Sequence, residues 1–585
     1  MLLFRSLKAP LLISLLAACS TSDAATTAGS TTTSGEPDAT SMTTSPTTGS
    51  ACTPGAIACS DAGAQACGVD GRLEPAIACP AVCVPDVGCV DCDAGATRCS
   101  AVGVERCDEA GAWQLLTACD ADQGITCDAD QGACVGACLP DNLLAAGSGF
   151  GPVGCEFYAT SSVVLLSQDE VLGVFLTNPG DLPATVRVER PFWAGAVVEV
   201  AAGSTERLSV PWDNNLIAPG GKTVLSRGGA VRIRSDRPIL VTQHAPATPH
   251  ASNEASLLFP VHAWGTAFSV ASFAGTKQPS GDFSEGSYVV VAAEDGTQVE
   301  LVGAPGLQVH AGAGVDASGH GKVTLDRGDA LQVLADRDND ITGSLVLADR
   351  PVQVIAAHHC ALVPTDVAFC DHLEESMPPH PALGRTHALI PPVQAGDPTL
   401  RRVQLVRVIA LEGPTGVAFE PALFPAAVLS APGEVLEVGP TDQPFVLQTT
   451  APVLVAQYMV GASFDGSHTD PSLTITPPLE SARTDHWFHT VPGWDATDVD
   501  IVAPAGTLVR LDGADLSDWT PLGASGLMFG HLRLPADAAM TTHTLVGDAA
   551  ITASVYSVSA GTSSTSYWHP TGYAFGTGGD AGSGR

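Results

Sequence analysis

The densest gathering of side chains able to do chemistry is His358-His359-Cys360 followed by Cys370-Asp371-His372, with Glu374 and Glu375 just beyond. Two chemistries suit this set. Deprotonated thiol, imidazole and carboxylate together form a metal donor set. Alternatively Cys360 and Cys370 close a nine-residue loop as a disulfide. Oxidising compartments keep thiols paired, and the other cysteines place this chain in such a compartment, so the disulfide is preferred. The loop would then offer His372, Glu374 and Glu375 to a ligand.

Other clusters are weaker. Asp336-Arg337-Asp338-Asn339-Asp340 alternates acidic oxygens as calcium loops do, but no Gly stands sixth and no Glu twelfth. Asp120-Ala121-Asp122-Gln123-Gly124 and Asp128-Ala129-Asp130-Gln131-Gly132 share the pattern, and solvated turns account for all three. Ser463, His468 and Asp470 contain the residue types of a triad, yet no Gly-x-Ser-x-Gly elbow surrounds the serine. HExxH, Walker-type and dinucleotide motifs are missing. The reading therefore assigns no catalytic residue, no metal and no cofactor.

These groups sit on a β-rich region over 140–575. It repeats weakly with a period of about 100 residues. Each copy ends in two alternating runs around a short break. The breaks are Ser235-Asp236-Arg237-Pro238, Ala348-Asp349-Arg350-Pro351, Thr450-Ala451-Pro452 and Asp548-Ala549-Ala550, each read as a turn between two strands. Upstream, Tyr288–Ala293 and Val299–Val302 flank Asp295-Gly296-Thr297, a hairpin signal. Counterparts stand at Asn178-Pro179-Gly180 and Ala505-Gly506-Thr507. A third piece recurs as Leu258-Phe259-Pro260, Met377-Pro378-Pro379 and Thr476-Pro477-Pro478. The expected fold is all-β: four tandem antiparallel β units, sandwich-like, or alternatively closed into a β-propeller, after a small disulfide-rich stalk.

Several stretches here resemble the N-terminal domain of the IgG Fc-binding protein family. They are Gly154-Cys155-Glu156-Phe157-Tyr158, Asn253-Glu254-Ala255-Ser256-Leu257-Leu258, Asp349-Arg350-Pro351, His359-Cys360-Ala361-Leu362-Val363-Pro364 and Cys370-Asp371-His372-Leu373-Glu374-Glu375. Asp470-Pro471-Ser472 and Ile501-Val502-Ala503-Pro504-Ala505-Gly506 extend the likeness, which spans roughly 152–570. It implies a binding or adhesion role without catalysis.

The stalk, 52–139, is an internal repeat. Cys52, Cys59, Cys67 and Cys79 recur 40 residues later as Cys92, Cys99, Cys107 and Cys119, and Cys83 and Cys89 correspond to Cys127 and Cys134. Cys138 and Cys155 remain over. Each copy is too small to fold on its apolar core alone, and three disulfides would supply about 2–4 kcal/mol each. Spacing leaves the connectivity open. Zinc is the rival, but Cys89-Val90-Asp91-Cys92 has no second CxxC to partner it.

Residues 19–51 are a Ser/Thr-rich tether and 576–585 a Gly-rich tail, both without apolar periodicity. Residues 1–18 read as a signal peptide: Arg5 and Lys8, an apolar run, then Leu16-Ala17-Ala18-Cys19. This end resembles the lipobox of bacterial lipoproteins, which implies a lipid on Cys19. Of 17 cysteines, the sixteen others are then an even set. The net charge of −36 disfavours nucleic acid and anionic lipid.

The parts in this order predict a cell-surface lipoprotein, lipid-anchored at the outer membrane. Its non-catalytic head would recognise an extracellular protein or glycan. The alternatives are a surface-anchored hydrolase and a purely structural envelope protein.

Overall fold

A computed structural model describes residues 51–145, 151–164, 171–217, 221–246, 252–278, 283–467, 469–535, 539–559 and 565–575. The expected signal peptide, Cys19, most of the tether and the tail lie outside the described residues. Among the described residues no helix is long and apolar enough to cross a membrane.

The chain divides into two units, Met1–Asp91 and Cys92–Arg585. In the first, the hairpins Ile57–Ser60/Gly63–Ala66 and Val82–Val84/Gly88–Val90 are cross-linked by Cys52–Cys67, Cys59–Cys83 and Cys79–Cys89. Few of its side chains are buried, so the disulfides carry the fold.

The second unit opens with the second cysteine repeat, bridged in the same order by Cys92–Cys107, Cys99–Cys127 and Cys119–Cys134. This second repeat is docked on the β head. Cys138–Cys155 joins it to the first head strand. Asp122 pairs with Arg234 at 2.9 Å and with Arg187 at 3.4 Å. Gly124 lies so close to Asp236 that a Cβ would come within 2.5 Å of its carbonyl oxygen.

The head consists of four β units, each built on one long spine strand: Val231–Ala245, Leu345–Ala361, Phe445–Met459 and Thr541–Ser559. The breaks expected to be turns lie inside these strands, which is a correction. The spine does not reverse; it bends and changes partners. In the second unit its first half pairs with Thr297–Val302 and its second half with Gly286–Ala292. Asp295-Gly296-Thr297 therefore does not close a hairpin. It carries the chain from one sheet of a small sandwich to the other, and the turns at 178–180 and 505–507 do the same.

The recurrent Asp or Thr has a physical reason. At the bend, a neighbouring strand begins with an N–H that the ladder does not use. Asp236, Asp349, Thr450 and Asp548 accept that N–H from Thr185, Gln298, Gly416 and Leu508 at 2.7, 2.8, 2.8 and 2.9 Å. In the first three units Pro follows, at a position where its missing donor costs nothing. Opposite each bend the unit's first strand carries a bulge, for example between Gly265 and Ala267.

From each spine the chain returns as an inner strand: Glu254–Leu258, Asp371–Ser376, Ser472–Ile475 and Thr565–Pro570. Each inner strand packs beside the next, and the fourth packs against the first, closing a ring. Sandwich-like units are thus arranged with propeller-like closure. The Pro-rich pieces end in short 3-10 turns that lead to the next unit. Val224–Ser226, between the first two units, pairs with Ala330–Leu334 of the second and stitches them together.

Candidate functional site

Where the inner strands begin, the ring is filled by acids. Asp371 accepts the N–H of Asn253 at 2.9 Å from the first unit, and Thr565 Oγ and the Ser566 N–H at 3.0 and 3.2 Å from the fourth. Glu254 accepts Ser472 Oγ and the Leu473 N–H at 2.8 Å each from the third unit, and the Trp568 N–H at 2.9 Å from the fourth. Two carboxylates thereby tie together all four units. Burial pushes both well above the usual carboxylate range, outweighing these hydrogen bonds, and the nearby Asp470 charge adds to the effect at Asp371. Burial lifts Asp470 itself to about 7.

His372, Glu374 and Glu375, expected on a ligand-facing loop, are corrected to inner-strand positions. Their exposures are 0%, 0% and 1%. Glu374 accepts Ser162 Oγ at 2.8 Å and Gln243 Nε2 at 2.6 Å. Ser162, His372 and Glu374 meet without forming a triad. His372 Nδ1 faces the His358 carbonyl at 2.8 Å, whereas a triad needs its carboxylate on that nitrogen. All three are shut off from solvent. The cleft between the third and fourth units, lined by Gln457, Asp500 and Thr552, holds about 30 Å³, room for one water.

The outward-facing chemistry lies at the end of the ring where spine turns into inner strand. Cys360–Cys370 closes the loop there in the second unit. Within it Phe369 has a φ of 72°, rare for a bulky side chain, and is 60% exposed. The short helix Ala462–Asp465 of the third unit lies alongside: Ser463 Oγ donates to the Ala368 carbonyl at 3.1 Å and the Gly461 N–H to the Val363 carbonyl at 2.8 Å. This helix exposes Phe464 at 42%. Fully buried Arg402 supports it, donating to the Val460 carbonyl at 2.6 Å and to Asp465 at 3.3 Å. Two aromatic side chains are thus held on a rigid base. Ser463 and Asp470 do not converge, since the serine is bound to a carbonyl and Asp470 is buried in the ring; His468 lies outside the described residues.

Asp120, Asp128 and Asp340 of the acidic turns have ordinary roles. Asp120 and Asp128 cap the N–H groups of Asp122 and Asp130. Asp340 turns away from Asp336 to pair with Arg407 at 2.8 Å.

Residues 254–557, a little more than half of the chain, match the family described as IgGFc binding protein. The chain belongs to that family. Human IgGFc-binding protein is 29% identical over 266 residues, which cover 45% of this chain and 5% of the human protein. This chain therefore spans a small part of that relative's length. No solved structure matches it. In IgGFc binding protein terms, the match opens on Glu254 and includes three inner strands. The fourth, Thr565–Pro570, which closes the ring, lies beyond it. The stretches that carried the resemblance in the sequence are largely the inside of the ring: Asn253-Glu254, Cys370-Asp371-His372 and Asp470-Pro471-Ser472.

Proposed function

We propose that this chain is a cell-surface binding protein, lipid-anchored through Cys19, whose head engages an extracellular protein through the loop end bearing Phe369 and Phe464. The observation that carries the reading is that exposed Phe369 and Phe464 stand on adjoining segments joined through Ser463 and Gly461, since Phe192 is also exposed and left-handed, at a φ of 65°. An aromatic side chain in the left-handed region, braced by a disulfide and left in solvent, spends folding energy to display apolar surface. Membership of a family named for binding supports a non-catalytic role. The burial of the ring's titratable groups supports it too, since an external substrate does not reach them. Leu16-Ala17-Ala18-Cys19 supports the anchor, and the Ser/Thr tether beyond it supports reach from an outer membrane surface.

The test has two arms. Protease shaving of intact cells and labelling with a fatty acid, against Cys19→Ser, examine display and anchoring. Binding of the purified head to an IgG Fc fragment, to matrix proteins and to glycan arrays examines recognition. Phe369→Ala with Phe464→Ala should lower binding at least tenfold without lowering thermal stability. Equal loss from Phe192→Ala, on an exposed turn elsewhere, would overturn the assignment of the face.

A further inference from the structure

Three segments of the second β unit converge on its rim. Glu285 precedes the strand Gly286–Ala292, His310 lies between Thr297–Val302 and Gly321–Leu325, and Asp336 follows Ala330–Leu334. His310 Nε2 stands 3.0 Å from Glu285 Oε1 and 3.6 Å from Asp336 Oδ1, and the three ligand atoms all lie within 4.8 Å of one another. We propose that Glu285, His310 and Asp336 form a divalent-cation site of the zinc class.

The spacing fits. Tetrahedral ligands at zinc bond lengths stand about 3.3 Å apart, so small side-chain rotations would seat an ion. The base is rigid, because each ligand sits on tied backbone. The His310 N–H donates to the Leu334 carbonyl at 2.9 Å, the Asp336 N–H to the Gln308 carbonyl at 2.9 Å, and the His359 N–H to the Glu285 carbonyl at 3.0 Å. Arg337, at a φ of 58°, donates its N–H to Glu285 Oε1 at 3.0 Å and fixes that carboxylate.

Glu285 already takes the His310 contact, so Asp336 faces the same imidazole at 3.6 Å without a hydrogen bond to its carboxylate among the described residues. Its other cationic neighbour, Arg337, is 3.8 Å away with its side chain 69% exposed. Two acids turned toward one imidazole concentrate negative charge that a bound divalent cation would neutralise. One nitrogen and two carboxylates favour zinc or another first-row ion over calcium, which takes oxygen ligands. The side chains are 22%, 14% and 39% exposed, so a fourth position opens to water.

The test uses the purified full chain with its disulfides intact, stripped by chelator and titrated with Co²⁺ and then Zn²⁺. The expected result is one cobalt per chain with a visible absorption band, displaced by zinc. His310→Gln and Asp336→Asn should each weaken binding at least tenfold. His320→Gln, an exposed histidine on the neighbouring loop, should not. Absence of a cobalt band, or binding by both ligand variants equal to the wild type, would overturn the site. Should His310→Gln misfold, Asp336→Asn decides the question alone.

Discussion

Asp349 accepts the backbone N–H of Gln298 at 2.8 Å across the bend of the second spine strand. The same contact recurs at Asp236, Thr450 and Asp548, so it is a building rule of the β unit rather than an accident of one loop.

Replacing Asp349 by Ala should cost about 1–2 kcal/mol, because the Gln298 N–H loses its acceptor. Asn, which keeps an acceptor oxygen, should restore most of it. Urea unfolding of the two variants measures the difference, and equal loss from both would sink the explanation.

Gly265 begins the first strand of the second unit where a Cβ would come within 2.4 Å of Pro379 Cβ, at that unit's exit. Gly154 and Gly384 meet Pro260 and Pro478 in the same way, at 2.4 and 2.5 Å. Gly265→Ala should therefore destabilise by roughly 1–3 kcal/mol. Gly396, with nothing near its Cβ position, should tolerate Ala. Paired thermal melts check this contrast.

Stability should fall steeply as the pH drops from about 6.5 toward 4. Burial depresses His358, His387 and His489 to about 3, and His262, His359, His380, His486 and His569 to about 4; His244 is also well below its ordinary value. A lowered histidine contributes stability that is present above the unfolded value of about 6.5 and lost as pH falls through the folded one. The raised acids Glu254, Asp371, Glu375 and Asp470 work in the opposite sense, losing their contribution as pH rises above the ordinary carboxylate range, through about 7 for Asp470, but they are fewer. Denaturant midpoints at pH 7.5 and pH 5 measure the slope. His387→Leu should flatten it and raise stability at pH 5, since neither ring nitrogen has a hydrogen-bond partner.

Reduction should act first on the unit Met1–Asp91. With three disulfides and few buried side chains, it has little core to fall back on. Limited proteolysis under mild dithiothreitol should cut within 52–91 while the four β units stay intact. Early cleavage of the head instead would contradict this.

What the sequence made legible follows from what is local. The cysteine spacing repeats because each module is its own short-range framework, and all sixteen cysteines are bridged in the structure, although spacing alone left the partners open. Alternation in runs such as Tyr288–Ala293 marks strands. The turn at Gly296 was visible, but not that its flanking strands join different halves of one spine. That depends on Asp349, more than fifty residues on in the chain. His372 and Glu374 looked like ligand-loop residues because polarity signals exposure. Their partners Ser162 and Gln243, which let them be buried, lie in another unit. His310, Glu285 and Asp336 come from separate stretches with no shared motif, and only the fold brings them together.

The ring also sets an order of assembly. Glu254 opens the first inner strand, yet among the donors to its Oε1, with Ala255 N–H and Ser472 Oγ, is the N–H of Trp568, 314 residues later. Until that last strand has emerged, the first has a buried acid short of one donor and an unclosed flank. A chain shortened before 565 would keep nearly all of its β units but lack the latch. For a chain made from its N-terminus, completion of the head is thus reported by its final strand.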